Sequence, residues 1–171
     1  MKSNKLLNLL GIIVFALAIA VFVAPVGNGI TAALKVAGGT GVATIEWTGY
    51  TVIFGNWADG YIQEACAANI AAFTLVVIGV AFQLIATILL FPNPKGSKKF
   101  SGFLFILGGL LEAIFGILFL CCEKTTGLAD NASIKALYDL KLGIGTIISS
   151  AAAIVAAILS IGTGVLAWKK K

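Results

Sequence analysis

SGFLFILGGLLEAIFGILFLCC, residues 101–122, is an apolar run with one carboxylate, Glu112, near its middle. At about 1.5 Å per helical residue it matches the ~30 Å hydrocarbon core of a bilayer. Glu112 lies about eleven residues from one end, roughly 16 Å deep on that rise. A central acid costs about 2.5–3.5 kcal/mol on insertion scales. It is therefore expected to face other helices and not acyl chains. A carboxylate costs more to bury than a neutral carboxyl, so Glu112 is expected to hold its proton unless water or a cation reaches it.

Runs of the same kind occupy residues 6–26, 67–91 and 143–168. The expected fold is an all-α membrane protein, one domain over residues 1–171, built as a four-transmembrane-helix bundle. Composition agrees. The chain is 60% hydrophobic and 11% charged, with a mean hydropathy of +1.05. Soluble domains sit near 45–50% apolar and about 25% charged. Too few charges remain to solvate a globular surface.

The first run begins after Lys2 and Lys5 and stops at Pro25. Ala18-Ile19-Ala20 resembles a signal-peptide cleavage site. The apolar run continues past it through Val21, Phe22, Val23 and Ala24, which favours a retained helix. Pro92 and Pro94 end the second run, because proline cannot continue a helix.

Residues 27–66 form a long outer loop. Ile30, Ala32, Leu34 and Val36 alternate with smaller or polar residues, as do Ala43, Ile45 and Trp47, then Tyr50, Val52 and Phe54. Gly-rich breaks separate these period-two runs. They predict a small extracellular antiparallel β-sheet of two or three strands within this loop. Trp47, Tyr50, Trp57 and Tyr61 suit a membrane boundary, and a sheet packing its own aromatics is expected in preference to a ligand site. Residues 123–142 form the second outer loop. There Asp130 is a candidate helix N-cap, and Ile134, Leu137 and Tyr138 follow at helical spacing. The fourth helix is accordingly expected to begin before the membrane and protrude from it. Asn131-Ala132-Ser133 matches a glycosylation sequon.

The charges orient the chain. The amino terminus, the connector after Pro94 and the carboxyl terminus carry Lys2, Lys5, Lys95, Lys98, Lys99, Lys169, Lys170 and Lys171 and no acid. The two longer loops carry Glu46, Asp59, Glu64, Glu123, Asp130 and Asp139. The positive-inside rule then predicts a multi-pass protein of the cell membrane with both termini cytoplasmic.

Membrane helices associate where small residues let backbones approach. On the fourth run Gly143, Thr146, Ser150, Ala153, Ala157, Ser160 and Gly164 alternate spacings of three and four, a seam along the whole span. On the third, Gly109, Glu112, Ala113 and Gly116 share a face; on the second, Ala72, Gly79, Gln83 and Ala86 do. Gln83 has the depth to meet Glu112, the neutral acid donating to the amide oxygen and accepting from its amine. Ser150 and Ser160 are further candidates for this intramembrane polar site. Glu112 either fixes helix packing or binds a proton or cation in a transport path.

There is no Arg and no His. Bidentate phosphate recognition and the commonest general base and metal ligand are thereby missing. Nucleic acid, a metal and a cofactor are not expected, nor is an enzyme. Cys66, Cys121 and Cys122 fall at one membrane level. A disulfide from Cys66 to Cys121 or Cys122 is one expectation, and three reduced thiols the other.

The layout resembles the claudin and peripheral myelin protein group: four spans, inner termini, a β-rich first outer loop and a smaller second one. That family carries a Trp, then Gly-Leu-Trp and two cysteines in the first loop. Here Trp47 and Gly55-Asn56-Trp57 match in part, Gly60 replaces the first cysteine and Cys66 remains, so the family's loop disulfide has no counterpart. The resemblance implies a membrane scaffold whose outer sheet contacts neighbours. The residues lead to the same expectation: a non-enzymatic structural or accessory subunit, self-associating or bound to a membrane protein partner in lipid. The alternative is a small transporter or channel component using Glu112 as its proton or cation site.

Overall fold

Four apolar runs without an internal helix breaker become four long helices. The computed structural model describes residues 2–34, 44–55, 66–91, 97–126 and 132–169. In chain order these are α1 (Lys2–Val23), a 3-10 turn (Ala24–Val26), β1 (Asn28–Leu34), β2 (Thr44–Thr48), α2 (Gly49–Phe54), α3 (Ala67–Leu90), α4 (Ser97–Leu120), α5 (Cys122–Thr125), α6 (Ala132–Leu137), β3 (Tyr138–Leu142) and α7 (Ile144–Lys169). The helices α1, α3, α4 and α7 are long and apolar enough to cross a membrane. Around the bundle α4 packs between α3 and α7, and α1 closes the ring against α7 and α3. Ile12, Ile78, Leu110 and Ile158 point outward, while Gln83, Glu112, Ser150 and Ser160 are fully buried. Polar side chains thus face the interior.

Small residues set the crossings. A Cβ at Gly108 would lie 2.7 Å from the Gly79 carbonyl oxygen, and one at Gly164 would lie 2.5 Å from that of Gly102. Both distances are shorter than any carbon–oxygen contact, so α3–α4 and α4–α7 touch backbone to backbone. All seven residues of the fourth-run seam are buried.

The sheet differs from the expectation in its strands. Its order is β2-β1-β3, antiparallel throughout, so the third strand comes from the second loop and not from residues 50–54. Residues 50–54 form α2 instead. The Thr48 hydroxyl caps that helix by accepting from the Thr51 amide at 3.2 Å, and Tyr50 stacks on Phe54 one turn later. The fourth helix does not extend back through the second loop either. α6 stops at Leu137, and Tyr138, Leu140 and Leu142 alternate with Asp139 and Lys141 along β3. A period-two pattern beside an open strand edge forms a strand.

The register places Ile30, Ala32, Trp47, Leu140 and Leu142 on one face and Thr31, Glu46, Asp139 and Lys141 on the other. The apolar face covers the bundle end, where Val21, Ile30, Trp47, Val52, Phe115 and Phe119 share one core. A second core, with Leu7, Val14, Leu90, Leu104 and Phe105, lies toward the lysine end. Trp57, Tyr61, Asp130, Asn131 and the glycines at 38–41 lie outside the described residues.

Candidate functional site

Between the two apolar cores runs a polar layer. α3 passes from Val76 through Gln83 to Leu90, α4 from Phe119 through Glu112 to Phe105, and α7 from Ala153 through Ser160 to Ala167, one heptad per step. Each helix therefore delivers its polar side chain at the same level. Gln83 Nε2 donates to Glu112 Oε2 at 2.6 Å and to Ser160 Oγ at 3.1 Å. Ser160 Oγ donates to the Phe105 carbonyl at 2.7 Å. One network so joins α3, α4 and α7. Its orientation is determined: Ser160 has spent its hydrogen on Phe105, so only an amine can face it from Gln83. Both amine hydrogens are then used. Glu112 Oε1 and Gln83 Oε1 are left buried without a hydrogen-bond partner.

Thr87 supports the layer from below by donating to the Gln83 carbonyl at 2.8 Å. Ser101 donates to the Ala86 carbonyl at 2.8 Å, a second tie between α4 and α3. The other charged side chains carried by the four long helices are lysines at their ends.

Ser150 does not join this layer. It lies nearer the sheet, where its carbonyl meets Gly116, and its hydroxyl is buried and unpartnered. Its neighbour Ser149, not singled out from sequence, donates to the Val21 carbonyl of α1 at 2.9 Å. Thr146 donates to the Gly29 carbonyl at 2.8 Å and ties α7 to β1. Thr146 belongs to the seam read from sequence; the signal for Ser149 was a second stripe of small residues on α7, Gly145, Ser149, Ala156 and Thr163, all buried. Asn69, also missed, donates to the Val52 carbonyl at 3.1 Å and accepts from Thr125 at 2.8 Å.

Trp47 and Tyr50 turn inward. Trp47 is 7% exposed. The Tyr50 hydroxyl donates to the Phe22 carbonyl at 2.5 Å, and its ring meets Phe73 edge-on. Of the two, Trp47 is the sheet's own and joins the core at the bundle end, while Tyr50 packs from α2. Cys66, Cys121 and Cys122 are free thiols. Cys66 Sγ donates to the Thr125 carbonyl at 2.9 Å, Cys121 is exposed and Cys122 is buried. Burial pushes the Cys122 thiol up to about 12.

Chemically, the layer can hold helices in register or hold a small ligand on two spare oxygens; it contains no nucleophile–base pair. Compared with family models, with curated proteins and with solved structures, the chain matches none.

Proposed function

We propose that this chain is a non-enzymatic, multi-pass protein of the cell membrane that acts as a structural or accessory subunit, with both termini cytoplasmic and the sheet outside. The observation that carries the reading is the sheet. Its apolar face is anchored on the bundle, while Thr44, Glu46, Thr48, Asp139 and Lys141 stand exposed on the other side. A rigid polar platform beside the membrane suits contact with another protein. The interior polar groups mostly serve as ties, between helices through Ser101, Ser149 and Ser160 and from α7 to the sheet through Thr146. The likeness in layout to claudins and peripheral myelin proteins supports the same role. Crosslinking in native membranes is expected to capture a homo-oligomer or a complex with a membrane partner. Recovery of monomer alone would overturn the proposal.

The second reading is a small transporter or channel component with Glu112 as its intramembrane proton or cation site. It is favoured by the unpartnered oxygens of Glu112 and Gln83. Under that reading Glu112→Gln abolishes flux in liposomes and leaves folding intact; unchanged flux sinks it.

A further inference from the structure

The donors of the polar layer are all committed, and two acceptors remain. The Gln83 amine gives its hydrogens to Glu112 Oε2 and Ser160 Oγ, and Ser160 gives its own to Phe105. The oxygens left over, Glu112 Oε1 and Gln83 Oε1, belong to two groups already joined through their other atoms. Both residues are fully buried. A buried acceptor left without a hydrogen bond destabilises the fold.

We propose that the layer is a one-proton binding site. Glu112 carries the proton on Oε1 and donates it to Gln83 Oε1, closing a cyclic acid–amide pair. A single hydrogen then satisfies both orphaned oxygens, and no other ligand does so as economically. A calcium ion takes about six to eight oxygens and magnesium an octahedron; here only two oxygens stand free.

An ionised Glu112 would lie uncompensated. Its polar partner is the neutral Gln83 amide from α3, which in turn meets the neutral Ser160 hydroxyl from α7, itself held on the Phe105 carbonyl. The other charged side chains of the long helices are lysines at their ends. An unpaired buried charge costs several kcal/mol. Nor is there a second titratable side chain on these elements at the level of Glu112 to take the proton onward. The site therefore holds its proton and does not relay it. This inference needs neither functional reading: a scaffold keeps the proton as part of its core, while a proton path would need an onward acceptor that these elements do not supply at this level.

Infrared absorption of the purified full-length chain in lipid vesicles tests it. At neutral pH the native protein is expected to show the C=O stretch of a protonated carboxyl, absent in Glu112→Gln and unchanged when choline or potassium replaces sodium. The variant itself is expected to fold, because its amide supplies the same donor and acceptor. A native-minus-variant spectrum with carboxylate bands instead, or a band that sodium shifts, overturns the proposal. Should the variant fail to fold, the native protein in heavy water decides. A carboxyl band that deuterates slowly supports a buried neutral acid, and its absence overturns the idea. Crosslinking, which judges the scaffold reading, is a separate measurement, so either can fail alone.

Discussion

Replacing Gln83 by leucine strips Glu112 Oε2 and Ser160 Oγ of their shared donor at once. The expected loss is about 1–3 kcal/mol per group left unpaired. It should appear as earlier thermal unfolding in detergent, with Ser160→Ala losing less because Glu112 keeps its donor. If Gln83→Leu unfolds like the native protein, the network contributes nothing. A second residue-scale prediction concerns the thiols. A maleimide should modify Cys121 in the folded protein and Cys122 only after unfolding, since Cys122 is buried, its thiol is pushed up to about 12, and the thiolate is the reactive form. Mass mapping of the labelled peptides checks this. At this scale the sequence was informative. Glu112 and Gln83 stand out because almost nothing else in their runs is polar. What no pattern could supply was the direction of each hydrogen, which depends on the Phe105 carbonyl.

At the scale of elements, backbone contact between helices makes a graded prediction. Gly108→Ala places a methyl 2.7 Å from the Gly79 carbonyl, so α3 and α4 must part. Overpacking of this sort costs about 1–3 kcal/mol. Gly162→Ala is the control: a Cβ there meets nothing within 4 Å, and alanine is the better helix former by about 1 kcal/mol. Side by side in a thermal unfolding assay, the first should destabilise and the second should not. If Gly108→Ala is no less stable than Gly162→Ala, close backbone approach does not set this crossing. The long helices and the α7 seam were readable because length and small-residue spacing are local properties. The sheet was only half readable. Tyr50, Val52 and Phe54 alternate like a strand, yet positions 50 and 54 also lie one helical turn apart, and the Thr48 cap decides for the helix. Tyr138, Leu140 and Leu142 alternate as well, but Ile134, Leu137 and Tyr138 at helical spacing hid them. The choice rested on the open edge of β1, a partner distant in sequence.

For the whole molecule, acid and base should act unequally on its two ends. Glu123, half-buried on α5 beside β3, is raised from its ordinary carboxyl value, first by burial and then by the Asp139 carboxylate, with Lys124 offsetting part. A group raised in this way stabilises the fold below its unfolded-state value, and that contribution is lost as pH rises through the folded-state value. Amide exchange in β3 is therefore expected to quicken as pH rises through the carboxylate range, beyond the intrinsic rate, and Glu123→Gln should remove the excess. An identical excess in the variant would assign it elsewhere. Orientation is testable at the same scale: a cysteine replacing Glu46 should react with an impermeant reagent added to intact cells, and one replacing Lys99 should not.

The sheet and the last helix also impose an order of events. β1 finds its second neighbour in β3, and Gly29 waits for a hydroxyl 117 residues downstream, on Thr146. A nascent chain thus leaves the ribosome with that edge bare and with Gln83 lacking its serine. The earlier segments cannot complete these contacts until α7 has been made, and a product shortened before β3 would lack them all.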